Sequence, residues 1–314
     1  MTTYDLVIIG AGPAGIEAGL QAKAAGMNYL LLERFDAGSY IDLTMRNKKF
    51  YHVYGKNTTQ LKGDLAFPDR ARGFQLVELW KKQAAELSFK PEVTLQSLTK
   101  NADGVFILST TRGEYQTKNV LLTSGTFESR KRLGVEGEEG NEKVIYEYDY
   151  YTEYEQEQII VVGGGNSALE TAIAMAEGDD NHVSIIVRKP AFHKSATETN
   201  LKAIQDFVDQ KKVTIFFESA VSSITSDEVQ VSIAGKIESL PYDRLFVHVG
   251  FEQPTEFLNS LGIKLENNNP VFNEQFESSI AGLFIAGALT GADSVIESSN
   301  QAYEIVRRLA KENK

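Results

Sequence analysis

Three glycines near the N-terminus have a spacing that can do chemistry. Tyr4-Asp5-Leu6-Val7-Ile8-Ile9 is an apolar, β-branched run, and Gly10-Ala11-Gly12-Pro13-Ala14-Gly15 follows it directly. Ile16 to Ala22 then reads as a helix. In a strand–turn–helix of this kind Gly10 allows the tight turn, and Gly12 lets a pyrophosphate approach the backbone. Gly15 lets the helix pack on the strand, with its N-terminus facing the phosphate charge. A second apolar run, Asn28 to Leu32, ends in Glu33. This carboxylate lies about 20 residues past the glycines, where it can take both hydroxyls of an adenosine ribose.

The pattern then repeats. Ile159-Ile160-Val161-Val162 reads as a strand, Gly163-Gly164-Gly165-Asn166-Ser167-Ala168 as the turn, and Leu169 to Ala176 as the helix. The second strand, Val183 to Val187, ends in Arg188-Lys189 rather than an acid, with His193 and Lys194 behind. Cations there suit a 2′-phosphate and favour NADPH over NADH, the alternative being a solvated basic patch.

These two units need about two domains' worth of chain, which 314 residues provide. No apolar run is long enough to span a membrane, and the first strand begins too early to leave room for a signal peptide. With no cysteine anywhere, disulfides, thiolate metal sites and thiol redox chemistry within the chain are excluded. Four scattered histidines lack ligand spacing, and a net charge of −11 argues against a nucleic-acid partner. A cytoplasmic protein is the expectation.

Between the two units, Phe35 to Pro68 shows no period. Its basic and aromatic stretch Met45 to Asn57 either covers a planar ring or is a surface excursion. Arg72 to Leu87 reads as a helix, and Val105 to Thr117 as a hairpin. Asn119 to Thr123 is a buried strand entering Ser124-Gly125-Thr126, and Gly282 to Gly291 is another strand into a turn of small residues. Thr197 to Gln210 reads as a helix, and a last one is expected from about Ser298 to Lys314. His248 lies in an apolar run and reads as a core residue.

In order and in motifs, nearly the whole chain resembles the low-molecular-weight thioredoxin-reductase-like flavoproteins. The branch it most resembles is the bacillithiol-disulfide-reductase-like one, through the tyrosine run Tyr146 to Tyr151 and through Val249-Gly250-Phe251 with Pro254. The resemblance implies an α/β fold of two Rossmann-like, three-layer ββα dinucleotide-binding domains. The NADPH domain (119–244) is inserted in an FAD domain (1–118 and 245–314).

By the same resemblance Gly10, Gly12, Ala14 and Gly15 hold the FAD pyrophosphate and Glu33 its ribose, with Pro13 and Arg34 also among the cofactor-binding residues. Val93, Ser124 and Gly125 lie on the adenine side, and Gly287 and Ala288 by the ribityl chain. Gly163, Gly165, Asn166, Ser167 and Ala168 cradle NADPH, and Arg188 and Lys189 grip its 2′-phosphate. The start of the last helix, near Asn300-Gln301-Ala302, is expected to stabilise negative charge on reduced flavin.

Three departures matter. The CxxC stretch of thioredoxin reductases reads Tyr146-Glu147-Tyr148-Asp149 here, and the cysteine of the bacillithiol branch reads Ala14. The acid of the family's Gly-Asp pair, which binds the ribityl chain, is Ala288. What remains is an FAD-dependent NADPH oxidoreductase that hands electrons directly to a low-molecular-weight disulfide, a ferredoxin or flavodoxin, or a quinone. The homodimer is the assembly implied, and Arg46-Asn47-Lys48-Lys49 offers a local basic patch to an acidic partner. The alternative is a non-catalytic FAD/NADPH-binding redox sensor or regulatory subunit.

Overall fold

The computed structural model describes residues 2–52, 59–126, 130–148, 154–178, 180–194 and 196–312. Val53 to Asn57 of the basic and aromatic stretch, and 149–151 of the tyrosine run, lie outside them.

The chain forms two units. The first takes the described residues up to Arg130 and from Phe251 onward, and the second takes Lys131–Gly250. The first opens with β1 (Thr3–Ile9), α1 (Pro13–Ala24), β2 (Tyr29–Leu32), α2 (Ser39–Thr44) and α3 (Gly73–Ala85). It continues with β3 (Phe89–Lys90), β4 (Leu95–Lys100), β5 (Phe106–Thr110) and β6 (Gly113–Leu122).

The second unit holds β7 (Val144–Ile145), β8 (Gln158–Val162), α4 (Asn166–Glu177), β9 (His182–Ile186) and α5 (Glu198–Asp209). It ends with β10 (Val213–Phe216), β11 (Ser219–Ile224), β12 (Glu228–Ile233), β13 (Lys236–Pro241) and β14 (Arg244–Val247). The chain then returns to the first unit with α6 (Thr255–Ser260), β15 (Leu265–Glu266), β16 (Asn269–Pro270), β17 (Leu283–Ile285), a 3₁₀ turn (Gly287–Thr290) and α7 (Val295–Glu312).

Each unit is a parallel sheet covered by helices on one face and by an antiparallel sheet on the other. In the first, β2, β1, β6 and β17 run parallel, and β6 divides its pairing: Gly113–Thr117 bonds β5 antiparallel and 120–122 bonds β17. Alternate residues of β1 enter opposite cores, because successive strand side chains point to opposite faces. Leu6 and Ile8 pack with α1, α3 and α7, while Val7 and Ile9 pack with Leu95, Phe106, Leu108 and Leu258. That two-sided burial is why the run is continuously apolar.

The second unit repeats the scheme. Its sheet order is β10-β9-β8-β14-β7, with Ile159 and Val161 toward α4 and α5, and Ile160 and Val162 toward Val229 and Val231 of β12. The Rossmann-like α/β expectation agrees with this architecture.

The unit edges fall at 130/131 and 250/251, not at the expected 118/119 and 244/245. The reason is strand pairing: Asn119 to Leu122 bond β1, and Arg244 to Val247 bond β8. The last helix also starts earlier than expected. The Ser294 hydroxyl accepts from the Glu297 N–H at 3.1 Å, capping α7 just before Val295.

Candidate cofactor-binding sites

In the first turn Gly10 has φ +105° and donates its N–H to Leu32 O at 2.8 Å. A methyl on Gly10 would stand 2.6 Å from Thr123 O, and one on Gly15 only 1.8 Å from Gly10 O. Around Gly12, by contrast, a methyl would meet nothing within 4 Å. The first and third glycines are therefore needed by the fold itself, and the middle one borders open space. Gly12 is also the N-cap of α1 with no side-chain cap, and Pro13 occupies the first turn. The turn thus presents backbone N–H groups to that space.

Thr123, which the sequence reading passed over, fixes this geometry. Its hydroxyl lies 2.9 Å from Ile9 O and 2.8 Å from Gly10 O, tying the end of β6 to the turn.

Glu33 sits at the end of β2 as expected. Its Oε2 accepts from the Ala11 N–H at 2.7 Å and its Oε1 from the Phe35 N–H at 3.0 Å. The carboxylate is thereby aimed beside the glycine turn, and each oxygen keeps a further lone pair for a hydroxyl. The Arg34 guanidinium stacks over the Phe35 ring at 4.7 Å. Val93 is buried and donates its N–H to Glu33 O, while Ser124 is exposed and Gly125 has φ +69°.

Gly287 has φ +77°, and a methyl on it would come within 3.6 Å of Ala14 Cβ, so the Gly287–Ala288 turn adjoins the glycine turn. Gln301 holds it: its Oε1 accepts from the Gly287 N–H at 2.9 Å and the Thr290 hydroxyl at 2.8 Å. Because α7 starts at Val295, Asn300, Gln301 and Ala302 are interior to the helix. They are not at its N-terminal dipole, and the expected charge-stabilising role there is withdrawn.

A second residue missed in the sequence is Glu17, fully buried on α1. It accepts from the Leu65 N–H at 2.7 Å, Gln21 Nε2 at 2.8 Å and the Asp64 N–H at 3.2 Å. Burial pushes its carboxyl up, against the pull of those bonds. Glu17 thus straps residues 64 and 65 onto the helix that begins at the phosphate cradle.

The second turn has the same construction. Gly163 has φ +144°, and a methyl on it would stand 2.4 Å from His248 O. Gly165 is the N-cap of α4, with no side-chain cap and nothing within 4 Å of a methyl. Ser167 is exposed on the first turn and Ala168 is buried under it. Asn166 turns its side chain aside: Oδ1 accepts from the Thr197 N–H at 2.9 Å and Asn200 Nδ2 at 3.0 Å, joining the starts of α4 and α5.

Arg188 and Lys189 are exposed at the end of β9. His248 lies just beyond β14, and its Nε2 is 2.9 Å from Thr171 Oγ. In the stretch at 46–49 Lys49 is exposed. Arg46 pairs with Asp42 and Asn47 is buried.

Both cradles therefore fit a dinucleotide: an open glycine at a helix N-terminus, and beside it an acid in one unit and two exposed cations in the other. The model of pyridine nucleotide-disulphide oxidoreductases matches residues 7–287, which take in both turns. The chain belongs to the pyridine nucleotide-disulphide oxidoreductase family. It is an NADPH-dependent flavoprotein oxidoreductase, of a family that uses FAD and NADPH.

Among its relatives is the bacilliredoxin reductase Bdr of Bacillus subtilis, 25% identical over 97% of this chain and 93% of that one. Another is a ferredoxin–NADP reductase of Streptococcus thermophilus, 26% identical over 94% and 87%. The bacillithiol disulfide reductase Bdr (YpdA) of Staphylococcus aureus shares the fold with a TM-score of 0.85, covering all of both chains at 21% identity. Among the described residues no cluster could hold a metal ion, and no helix is long and apolar enough to cross a membrane.

Proposed function

We propose that this chain moves reducing equivalents from NADPH through bound FAD directly to an external acceptor, with no thiol of its own in the path. One observation carries the reading: two open glycine cradles stand in a chain of 314 residues that contains no cysteine. Gly10, Gly12 and Gly15 with the start of α1 would hold the FAD pyrophosphate and Glu33 its ribose. Gly163, Gly165 and Ser167 with the start of α4 would hold NADPH, and Arg188 and Lys189 its 2′-phosphate. FAD, when bound, supplies the hydride-accepting and electron-donating chemistry. The protein's share is to bind and orient. Thr123 and Gln301 lock the two turns that border the first cradle, and Asn166 locks the start of α4.

The acceptor proposed is a low-molecular-weight disulfide, a ferredoxin or flavodoxin, or a quinone. The relative named ferredoxin–NADP reductase supports the second class, and the structure named bacillithiol disulfide reductase is in line with the first. With a disulfide the balance is NADPH, one proton and RSSR giving NADP⁺ and two RSH. A homodimer and a cytoplasmic setting complete the proposal.

Anaerobic rapid mixing of the flavin-loaded chain with NADPH and with NADH tests it. Fast bleaching of flavin absorbance with NADPH and slow bleaching with NADH is the expected result. Tight binding of both cofactors with no bleaching by either would replace this reading with that of a redox sensor.

A further inference from the structure

A side chain outside both glycine motifs carries an unmet hydrogen-bonding demand at the first cradle. Gln253 lies where the chain re-enters the first unit, held by Pro254 and α6, whose Leu258 is fully buried in the core. Its Nε2 points at Ala288 O (3.4 Å) and Leu289 O (3.3 Å), the carbonyls of the Gly287–Thr290 turn. That fixes the amide's orientation, since an oxygen in the same place would face two carbonyl oxygens. Its Oε1 is shielded from solvent and has no hydrogen-bond partner among the described residues. A buried amide oxygen without a donor is rare enough in folded proteins to need a cause.

The topology says which part of a ligand reaches this acceptor. Glu33 ends β2, on one side of the turn that follows β1, while β6 and β17 lie on the other. A dinucleotide whose adenosine ribose is taken by Glu33 has its pyrophosphate at Gly12. Its other half then runs toward the Gly287 turn, which adjoins Ala14. The group next to the pyrophosphate on that side of FAD is the ribityl polyol, and a hydroxyl is the donor an amide oxygen lacks. In the turn itself Ala288 and Leu289 bring no side-chain acceptor, and the Thr290 hydroxyl is engaged by Gln301 Oε1 and Gly287 O, both at 2.8 Å.

We propose that Gln253 Oε1 accepts a hydrogen bond from a ribityl hydroxyl of bound FAD, making Gln253 a cofactor-binding residue. The proposal rests on FAD occupying the first cradle.

Gln253→Leu in the full chain, stripped of flavin and titrated with FAD and with ADP, tests it. An apolar side chain relieves the unpaired oxygen, so the stripped variant should melt at or above the wild-type temperature. FAD affinity, read by quenching of flavin fluorescence, should fall about tenfold, the worth of one such bond. ADP, which lacks the polyol, should bind within about twofold of wild type, a margin smaller than any single hydrogen bond. FAD analogues lacking one ribityl hydroxyl give a second route on wild-type protein: one of them should show the same loss, including if the variant fails to fold.

FAD affinity unchanged in Gln253→Leu, or no deoxy analogue weakened, overturns the proposal. So does a lowered melting temperature with FAD and ADP weakened alike, which would make Gln253 a clamp on the turn only. A wild-type chain that binds no FAD would overturn the cofactor reading itself, a result distinct from all of these.

Discussion

Adding a methyl to Gly12 or to Gly15 is the same chemical change three residues apart, and the structure predicts opposite consequences. At Gly15 the new carbon would stand 1.8 Å from Gly10 O, and ordinary contact begins at 3.4 Å, so α1 must retreat by about 1.6 Å. The obstacle is backbone in a turn tied down by Thr123, and α1 is sunk in the core through Ile16 and Ala18, both fully buried. Overpacking with nothing to yield costs at least about 3 kcal/mol, so Gly15→Ala should misfold or unfold early and contain little flavin. At Gly12 a methyl meets no protein atom within 4 Å. Its cost is the weaker N-cap, below about 1 kcal/mol, so the flavin-free Gly12→Ala chain should melt close to wild type. Yet the methyl occupies the space assigned to the pyrophosphate, so FAD should be lost. The assay is melting temperature of the stripped chain together with flavin bound per chain. Gly12→Ala that keeps stoichiometric FAD at wild-type affinity would refute the placement of the pyrophosphate, and Gly15→Ala that folds normally would refute the packing argument.

Four further outcomes are expected. Replacing Arg188 and Lys189 together with alanine should weaken NADPH about 10- to 100-fold while leaving NADH nearly unchanged, and the difference should shrink with salt because both side chains are exposed; equal losses for the two nucleotides in a binding titration would remove the 2′-phosphate assignment. Glu17→Ala strands the Asp64 and Leu65 N–H groups and should destabilise the first unit by about 3 kcal/mol in urea unfolding, with faster hydrogen exchange at those two amides; unchanged exchange there would show that Glu17 does not hold the strap. In the second unit, burial and the bond to Glu138 push the Tyr146 phenol up to about 12. Its contribution to stability is therefore complete below pH 10 and lost as pH rises through about 12, and an ultraviolet titration of wild type against Tyr146→Phe checks it. Burial pushes the Glu138 carboxyl up, but bonds from the Tyr146 hydroxyl and nearby amides outweigh it and leave the group below its ordinary value of 4.5. Its contribution is present above that pH and lost on acidification, which Glu138→Gln should abolish.

Strand and turn were legible where a short stretch of sequence fixes both. The alternation of β1 into two cores and the steric needs of Gly10 and Gly15 are local, and so is the switch from Glu33 to Arg188-Lys189 at corresponding strand ends. Pairing is not local, which is why the unit edges moved. Nothing in Asn119 to Leu122 says that it bonds β1, or in Arg244 to Val247 that it bonds β8. One signal was present and passed over. Ser294-Val295-Ile296-Glu297 has the Ser-x-x-Glu form of a helix start, and the structure uses it to cap α7.

The residues that sequence reasoning missed share a physical reason. Glu17 lies within an apolar helix pattern, where an acid reads as a solvated position, and only the amides of residues 64 and 65 arriving from elsewhere make its burial tolerable. Thr123 carries no pattern of its own, and its value comes from two carbonyls brought within 3 Å by the crossing of β6 beside β1. Gln253 is the extreme case, because half of its hydrogen bonding is met by a turn more than thirty residues later and the other half by nothing among the described residues. Sequence comparison marks the acid missing at Ala288 and stops there. Only the fold places an acceptor from a different segment against that same turn, so the lost carboxylate and the orphaned amide become one question, which the Gln253→Leu titration answers.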